Sequence, residues 1–183
     1  MSGRLVLLAF PFLATLPAPV PAQVRSSACE DAVRERLGAF EGRWRVEAVF
    51  RAGESAWDST TAVATITPEL SGCLLREEYR GTRYGEPYAY IALWGANGLE
   101  DAPYQRTFAH SQHGLLTLRA GDFTGDTLVL RSTTLVRGQA ILEEDRITRP
   151  TASRFTLINR RSTDDGATWT TTRRAVYVRS RDR

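Results

Sequence analysis

The stretch Gly42-Arg-Trp-Arg-Val-Glu-Ala-Val-Phe50 decides the fold, because its apolar and charged side chains alternate with a period of two. Successive side chains of a strand point to opposite faces of a sheet, so this pattern predicts a strand with one buried face. Nine similar stretches follow, separated by turn signals such as Gly125-Asp126 and Arg149-Pro150. The predicted strands span residues 43–50, 59–67, 73–80, 88–94, 104–110, 115–120, 127–134, 140–148, 154–162 and 170–179.

Short strands joined by hairpin-length connections predict an all-β antiparallel meander. A meander of this size usually closes on itself, because closure leaves no strand edge unpaired. We therefore expect an up-and-down β-barrel of about 8–10 strands, with a two-sheet sandwich as the alternative. The interior of such a barrel holds packed side chains or one small ligand, so the fold itself suggests a cavity.

A short amphipathic helix is predicted before the first strand. The residues Ser27-Ala-Cys-Glu30 form a capping-box pattern. Behind it Cys29, Val33, Leu37 and Phe40 recur at helical spacing. We expect one α-helix from about residue 28 to residue 40, leading into a barrel over residues 43–179.

Residues 1–22 have the pattern of a secretory signal peptide, with Arg4, an apolar run and a small-residue end at Ala22. Cleavage there would leave residues 23–183 as a single periplasmic or secreted domain. The apolar run is too short for a permanent membrane span, so no stable membrane insertion is expected after cleavage. In an oxidising compartment the two cysteines, Cys29 and Cys73, are expected to form a disulfide, with two unpaired thiols as the alternative.

The composition excludes several classes of chemistry. All 24 basic residues are arginine, so mechanisms that need a lysine are excluded. The last eleven residues hold five of these arginines against one aspartate, so the rest of the chain has no basic excess and nucleic-acid binding is not expected. With two histidines and no Gly-x-Ser-x-Gly stretch, a hydrolytic triad is not supported. We predict no cofactor, and nothing in the sequence indicates an oligomeric state.

The segment Leu37-Gly-Ala-Phe40 followed by Gly42-x-Trp44 resembles the opening of lipocalins and other calycin barrels. Together with Leu70-Ser-Gly-Cys-Leu-Leu-Arg-Glu-Glu-Tyr-Arg-Gly81 and the turn at Tyr84-Gly-Glu-Pro87, it looks like an uncharacterised bacterial lipocalin-like family over residues 33–179. In lipocalins an arginine of the last strand packs over this tryptophan. The resemblance therefore implies that Arg173 or Arg174 closes the barrel floor against Trp44.

A second resemblance lies in the last hairpin. The stretch Ser162-Thr-Asp164-Asp-Gly166-Ala-Thr168-Trp169 is similar to the Asp-box of sialidase propellers, a motif that shapes a turn and does not catalyse. Asp164 is expected to accept hydrogen bonds from turn amides, Gly166 to permit the tight backbone and Trp169 to pack beneath.

Charged and aromatic residues in the middle of predicted strands are the candidate ligand-binding residues, because alternation forces some of them inward. An interior of this kind would suit a small amphipathic or acidic ligand. The alternative is a set of solvated outer faces with cross-strand ion pairs. His110 and His113 could supply half of a metal site, but two exposed turn histidines are the favoured interpretation and no metal is predicted. The candidates are Arg76, Tyr79, Tyr88, Tyr90, Glu144 and Arg146.

Three functions remain open at this point. The leading hypothesis is a secreted or periplasmic barrel that binds a small, partly apolar molecule in its interior. The second is a cofactor-free isomerase, cyclase or decarboxylase that uses interior Arg, Glu and Tyr side chains. The third is a non-catalytic envelope protein whose arginine-rich C-terminal end meets another partner.

Overall fold

The computed structural model describes residues 31, 33, 35–96 and 101–180. They form a closed antiparallel barrel of ten strands, in which each strand pairs with the next along the chain and the first pairs with the last. The predicted barrel is confirmed, and the sandwich is excluded. The strands are β1 (Gly42–Arg51), β2 (Trp57–Glu69), β3 (Leu74–Arg83), β4 (Glu86–Ala96), β5 (Tyr104–His110), β6 (His113–Thr124), β7 (Thr127–Val136), β8 (Gln139–Thr148), β9 (Arg154–Ser162) and β10 (Thr170–Arg179).

The predicted N-terminal α-helix over residues 28–40 is not an element of the described structure, although the described residues Asp31, Val33, Glu35 and Arg36 are helical. The chain enters β1 through a 3-10 helix (Gly38–Phe40), and a second 3-10 helix (Leu70–Gly72) joins β2 to β3. The amide of Phe40 bonds to the carbonyl of Leu37, three residues back, at 2.9 Å. This tighter turn directs the Phe40 ring into the core, where its side chain is fully buried. Residues 28–30, 32 and 34 of the predicted helix lie outside the described residues.

Aromatic side chains close one end of the barrel, which we call the floor. The ring of Phe40 lies 5.2 Å from that of Trp94 and 5.1 Å from that of Phe155, measured between ring centroids. The indole N–H of Trp44 donates to the carbonyl of Phe40 at 2.9 Å. The floor is therefore packed with rings rather than open to solvent.

Arg179 covers the floor tryptophan. Its guanidinium carbon lies 4.2 Å from the ring centroid of Trp44. The expectation that Arg173 or Arg174 makes this contact is wrong, because the antiparallel register places Trp44 opposite Arg179. The same register pairs Arg173 with Phe50, at the other end of β1.

Gly42 has a φ of +129°, a backbone conformation that side chains with a Cβ rarely adopt. A Cβ at this position would also collide with the Arg179 guanidinium. The glycine of the Gly-x-Trp pattern thus makes room for the arginine that covers the tryptophan.

The hairpin between β9 and β10 contains the hydrogen bonds that its sequence predicts. The carboxylate of Asp164 accepts from the Thr168 amide at 2.9 Å and from the Thr168 hydroxyl at 2.6 Å. The Ser162 hydroxyl donates to Asp164 at 2.6 Å and accepts from the Gly166 amide, whose residue has a φ of +88°. Trp169 packs against the Arg160 guanidinium. The likeness to the Asp-box itself stays a resemblance.

Two further predictions concern residues outside the described part of the chain. Cys29 lies there, so its disulfide with Cys73 stays a prediction. The same holds for the signal peptide over residues 1–22. Within the described residues, no helix has the length and apolar character needed to cross a membrane.

Candidate functional site

Strand β3 shows which of its side chains face the interior. Leu75, Glu77 and Tyr79 are completely buried. Arg76 and Glu78 alternate with them, are more than a third exposed, and form an ion pair with each other at 2.8 Å. Arg76 therefore lies on the outer face, where it also forms a cross-strand ion pair with Glu69 of β2 at 3.8 Å, as in the alternative to a cavity role.

The consecutive acidic residues Glu143, Glu144 and Asp145 of β8 also alternate between the inner and outer faces. Asp145 is buried in the interior, whereas Glu144 faces outward. Glu144 is nevertheless inaccessible to solvent, because guanidinium groups of the outer face cover its carboxylate. They belong to Arg131, Arg146 and Arg160.

The interior placement of Arg76, Glu144 and Arg146 was thus wrong. Arg76 and Tyr79 lie three residues apart on β3, so alternation sends them to opposite faces, whereas Glu144 and Arg146 share a face of β8, which is the outer one. Tyr79, Tyr88 and Tyr90 are the three that the structure brings together inside the barrel. The rings of Tyr79 and Tyr90 stack at a centroid distance of 4.6 Å.

Glu77 is the centre of a buried hydrogen-bond network. Its Oε1 accepts from the hydroxyls of Tyr90 at 2.5 Å and Tyr177 at 3.0 Å. Its Oε2 accepts from the indole of Trp94 at 3.1 Å and from Arg106 at 3.0 Å. A buried carboxylate with four donors is fully compensated, which explains how the sequence tolerates it in the core.

The network extends to a second buried carboxylate. Arg106 bridges Glu77 and Asp145, with 3.2 Å between its Nη1 and the Asp145 Oδ2. Asp145 also accepts from Arg119 and from Asn159. Burial, and then the charge of Glu77, raise the pKa of Tyr90, so its hydroxyl stays a donor at neutral pH.

Above this network, at the end opposite the floor, lies a cavity of about 270 Å³, which we call the mouth cavity. A neighbouring depression of about 320 Å³ shares five of its lining residues, so the two form one opening. The walls combine aromatic faces with guanidinium groups. The mouth cavity is lined by Phe50, Arg83, Tyr88, Tyr90, Arg106, Phe108, His110, His113, Arg119, Glu143, Asn159, Thr172 and Arg173.

Two arginines of the mouth cavity have no acidic partner among the described residues. Arg106 and Arg119 pair with carboxylates, but Arg83 and Arg173 do not. Arg173 is 7% exposed, and its guanidinium lies 5.3 Å from the Phe50 ring centroid and 5.0 Å from that of Tyr79. A β-bulge between Thr171 and Arg173 disturbs the register where this side chain enters the cavity.

Two histidines stand at the rim. The ring centroids of His110 and His113 are 5.2 Å apart, and His110 lies 5.5 Å from Tyr88. Burial, followed by the nearby His113 and Arg83, lowers the pKa of His110, so it is neutral at pH 7. The described part of the chain contains no group of three or more potential metal ligands.

None of the charged residues that line the cavity is among the candidate ligand-binding residues predicted from the sequence. Arg173 was assigned a floor contact, and Arg83, Arg106 and Arg119 were not singled out. Arg106 had a usable signal, since it lies two residues from both Tyr104 and Phe108 and therefore shares their inward face.

Comparisons with known proteins extend the fold assignment. No protein-family model matches the chain, and no curated protein matches it. Among solved structures, the chain is similar to the S-type phycobiliprotein lyase CPES from Guillardia theta, with a TM-score of 0.55 and 15% identity over 82% of this chain and 94% of that one. It is also similar to Rv2717c from M. tuberculosis, with a TM-score of 0.56 and 13% identity over 82% and 98% of the two chains. At these identities the likeness shows the fold alone, a lipocalin-like β-barrel.

Proposed function

We propose that this barrel binds a small, partly apolar molecule in the mouth cavity. The observation that carries the proposal is the cavity itself, in which aromatic faces and a few charged groups converge in one concave opening. Ligand sites in proteins have this composition. The likeness to a phycobiliprotein lyase supports the proposal, because the two proteins share a type of barrel whose interior can hold one small ligand.

The geometry also limits the size of the ligand and its route. The floor is packed with the rings of Phe40, Trp44 and Phe155, so a ligand enters from the mouth. A cavity of about 270 Å³ is slightly smaller than the roughly 300–1,000 Å³ of sites for drug-sized molecules. The ligand is therefore small, or it leaves one end in the neighbouring depression.

An enzymatic role for the buried glutamate has less support. General acid–base catalysis needs a group within hydrogen-bond reach of the substrate. Glu77 does not line the mouth cavity, and four donors already occupy its two oxygens. Its position below the cavity is that of a structural group.

Native mass spectrometry of protein purified without refolding tests the proposal. We expect a reproducible excess mass that disappears on denaturation. Thr172→Phe should fill the cavity and abolish the excess, because Thr172 lines it. Thr133→Phe, at an exposed position of β7, is the matched control and should retain it. An excess mass that survives Thr172→Phe, or an apo protein that binds no probe of any charge, would contradict the proposal.

We further propose that the mature protein is periplasmic or secreted and holds a Cys29–Cys73 disulfide. The support is the pattern of residues 1–22 and the even cysteine count. Expression of the full chain in a bacterium with an export pathway should give a product that begins at Gln23. Its unreduced mass should increase by two hydrogens on reduction. An uncleaved cytoplasmic product would contradict the proposed export. A mature product whose mass is unchanged by reduction would contradict the disulfide.

A further inference from the structure

We propose that the ligand of the mouth cavity is an aromatic molecule with one carboxylate group, and that Arg173 binds this carboxylate. The inference rests on the proposed function and adds the charge and orientation of the ligand. It follows from an imbalance of charge that the fold leaves inside the barrel.

Four guanidinium groups line the mouth cavity, from Arg83, Arg106, Arg119 and Arg173. Three carboxylates neutralise them in part, those of Glu77, Asp145 and Glu143. These acids pair only with Arg106 and Arg119 among the described residues. One positive charge is left in the cavity, which a singly charged anion would neutralise.

Two arginines of the cavity lack an acidic partner within the described part of the chain, and Arg173 is the buried one. Its Nε is buried with no hydrogen-bond partner among the described residues, and its Nη2 reaches the Tyr177 hydroxyl only at 3.5 Å. A buried cation is costly unless a charge and hydrogen bonds compensate it. A planar carboxylate fits the fork of donors that a guanidinium presents.

The surroundings of Arg173 specify the rest of the ligand. Phe50 is close to both Arg173 and Arg83, with each guanidinium carbon 5.3 Å from its ring centroid. Tyr88, Tyr90 and Phe108 complete the aromatic wall. An aromatic body packs against these faces while its carboxylate meets the guanidinium, as in other sites where rings and a few polar groups converge.

A pair of isosteric probes isolates the charge. We would titrate the protein with 2-naphthoate and with the neutral 2-naphthamide by calorimetry at pH 7. Charge-assisted hydrogen bonds to a buried guanidinium are worth about tenfold or more in affinity, so naphthoate should bind at least that much tighter. Arg173→Gln should remove the preference. Arg174→Gln, which removes the same charge from the outer face beside Trp57, should leave it intact.

The outcomes separate the two proposals. Equal affinity for both probes would overturn the carboxylate inference and leave the binding function standing. Binding of neither probe would overturn the function and the inference together. A preference for naphthoate that persists in Arg173→Gln would place the anion elsewhere and overturn the role of Arg173. If Arg173→Gln does not fold, Arg173→Lys keeps the charge but lacks the fork, and it should lower naphthoate affinity more than naphthamide affinity.

Discussion

The guanidinium of Arg179 lies over the indole of Trp44 and holds the last strand against the segment that precedes the first one. It also donates to the backbone carbonyls of Glu41 at 2.8 Å, Ala39 at 3.2 Å and Ala152 at 2.9 Å. A single side chain thus joins both ends of the described barrel to the connection between β8 and β9.

Arg179→Ala should lower the free energy of unfolding by about 1–2 kcal/mol, because it removes a cation–π contact together with three hydrogen bonds. Urea denaturation monitored by tryptophan fluorescence measures this change. Arg174→Ala is the matched control, since Arg174 lies over Trp57 on the outer face, and it should change stability by less than about 0.5 kcal/mol. Equal losses in the two variants would contradict a special role for Arg179.

Glu77→Gln should lower the free energy of unfolding by about 3–5 kcal/mol. The substitution removes the acidic member of a buried ion pair and leaves the Arg106 guanidinium without its full compensation. Arg106 would keep Asp145 as its only acidic partner among the described residues. The adjacent Glu78→Gln changes an outer-face residue and should stay within about 0.5 kcal/mol of wild type. Chemical denaturation of both variants tests the prediction, which fails if their stabilities are the same.

Asp164 should make the last hairpin sensitive to acid. Hydrogen bonds from Ser162 and Thr168 lower the pKa of Asp164 from 3.8 to about 2. The unfolded chain therefore takes up this proton before the folded chain does, and the stabilisation is complete above pH 3.8 and lost as the pH falls towards 2. Carboxyl NMR titration should give the low pKa. Asp164→Asn should shift acid unfolding to higher pH, while Asp165→Asn in the same turn should not.

His110 should titrate below its ordinary pKa of 6.5, because the site is partly buried and because His113 and Arg83 are near. The unfolded chain binds this proton at higher pH than the folded one, so the free energy of unfolding decreases as the pH falls below 6.5. The chain has two histidines, so in His113→Gln every imidazole NMR signal belongs to His110. That variant should also raise the pKa of His110. A pKa at or above 6.5 in the wild type would contradict the prediction.

The strands were predictable from the sequence, whereas the face that each strand presents to the interior was only partly so. Period-two alternation is a local property, and every predicted strand is present. Alternation separates Glu77 from Glu78 and Glu144 from Asp145, but it does not say which set is buried. That choice depends on neighbouring strands, since Glu77 is compensated by Tyr90 and Arg106 from β4 and β5 and by Tyr177 from β10. Arg173 was misassigned for the same reason, because its position follows from the register of β10 against β1.

The pairing of β1 with β10 has a consequence for how the chain folds. Each of the other pairings in the described barrel joins consecutive strands, but this one joins the two ends. An unfinished chain that lacks β10 would be an open sheet with two unpaired edges, which favour aggregation. It would also lack Arg173, which lines the mouth cavity, Tyr177, which donates to Glu77, and Arg179, which covers Trp44 at the floor. Closure of the sheet and completion of the mouth cavity therefore depend on the same long-range pairing of β1 with β10.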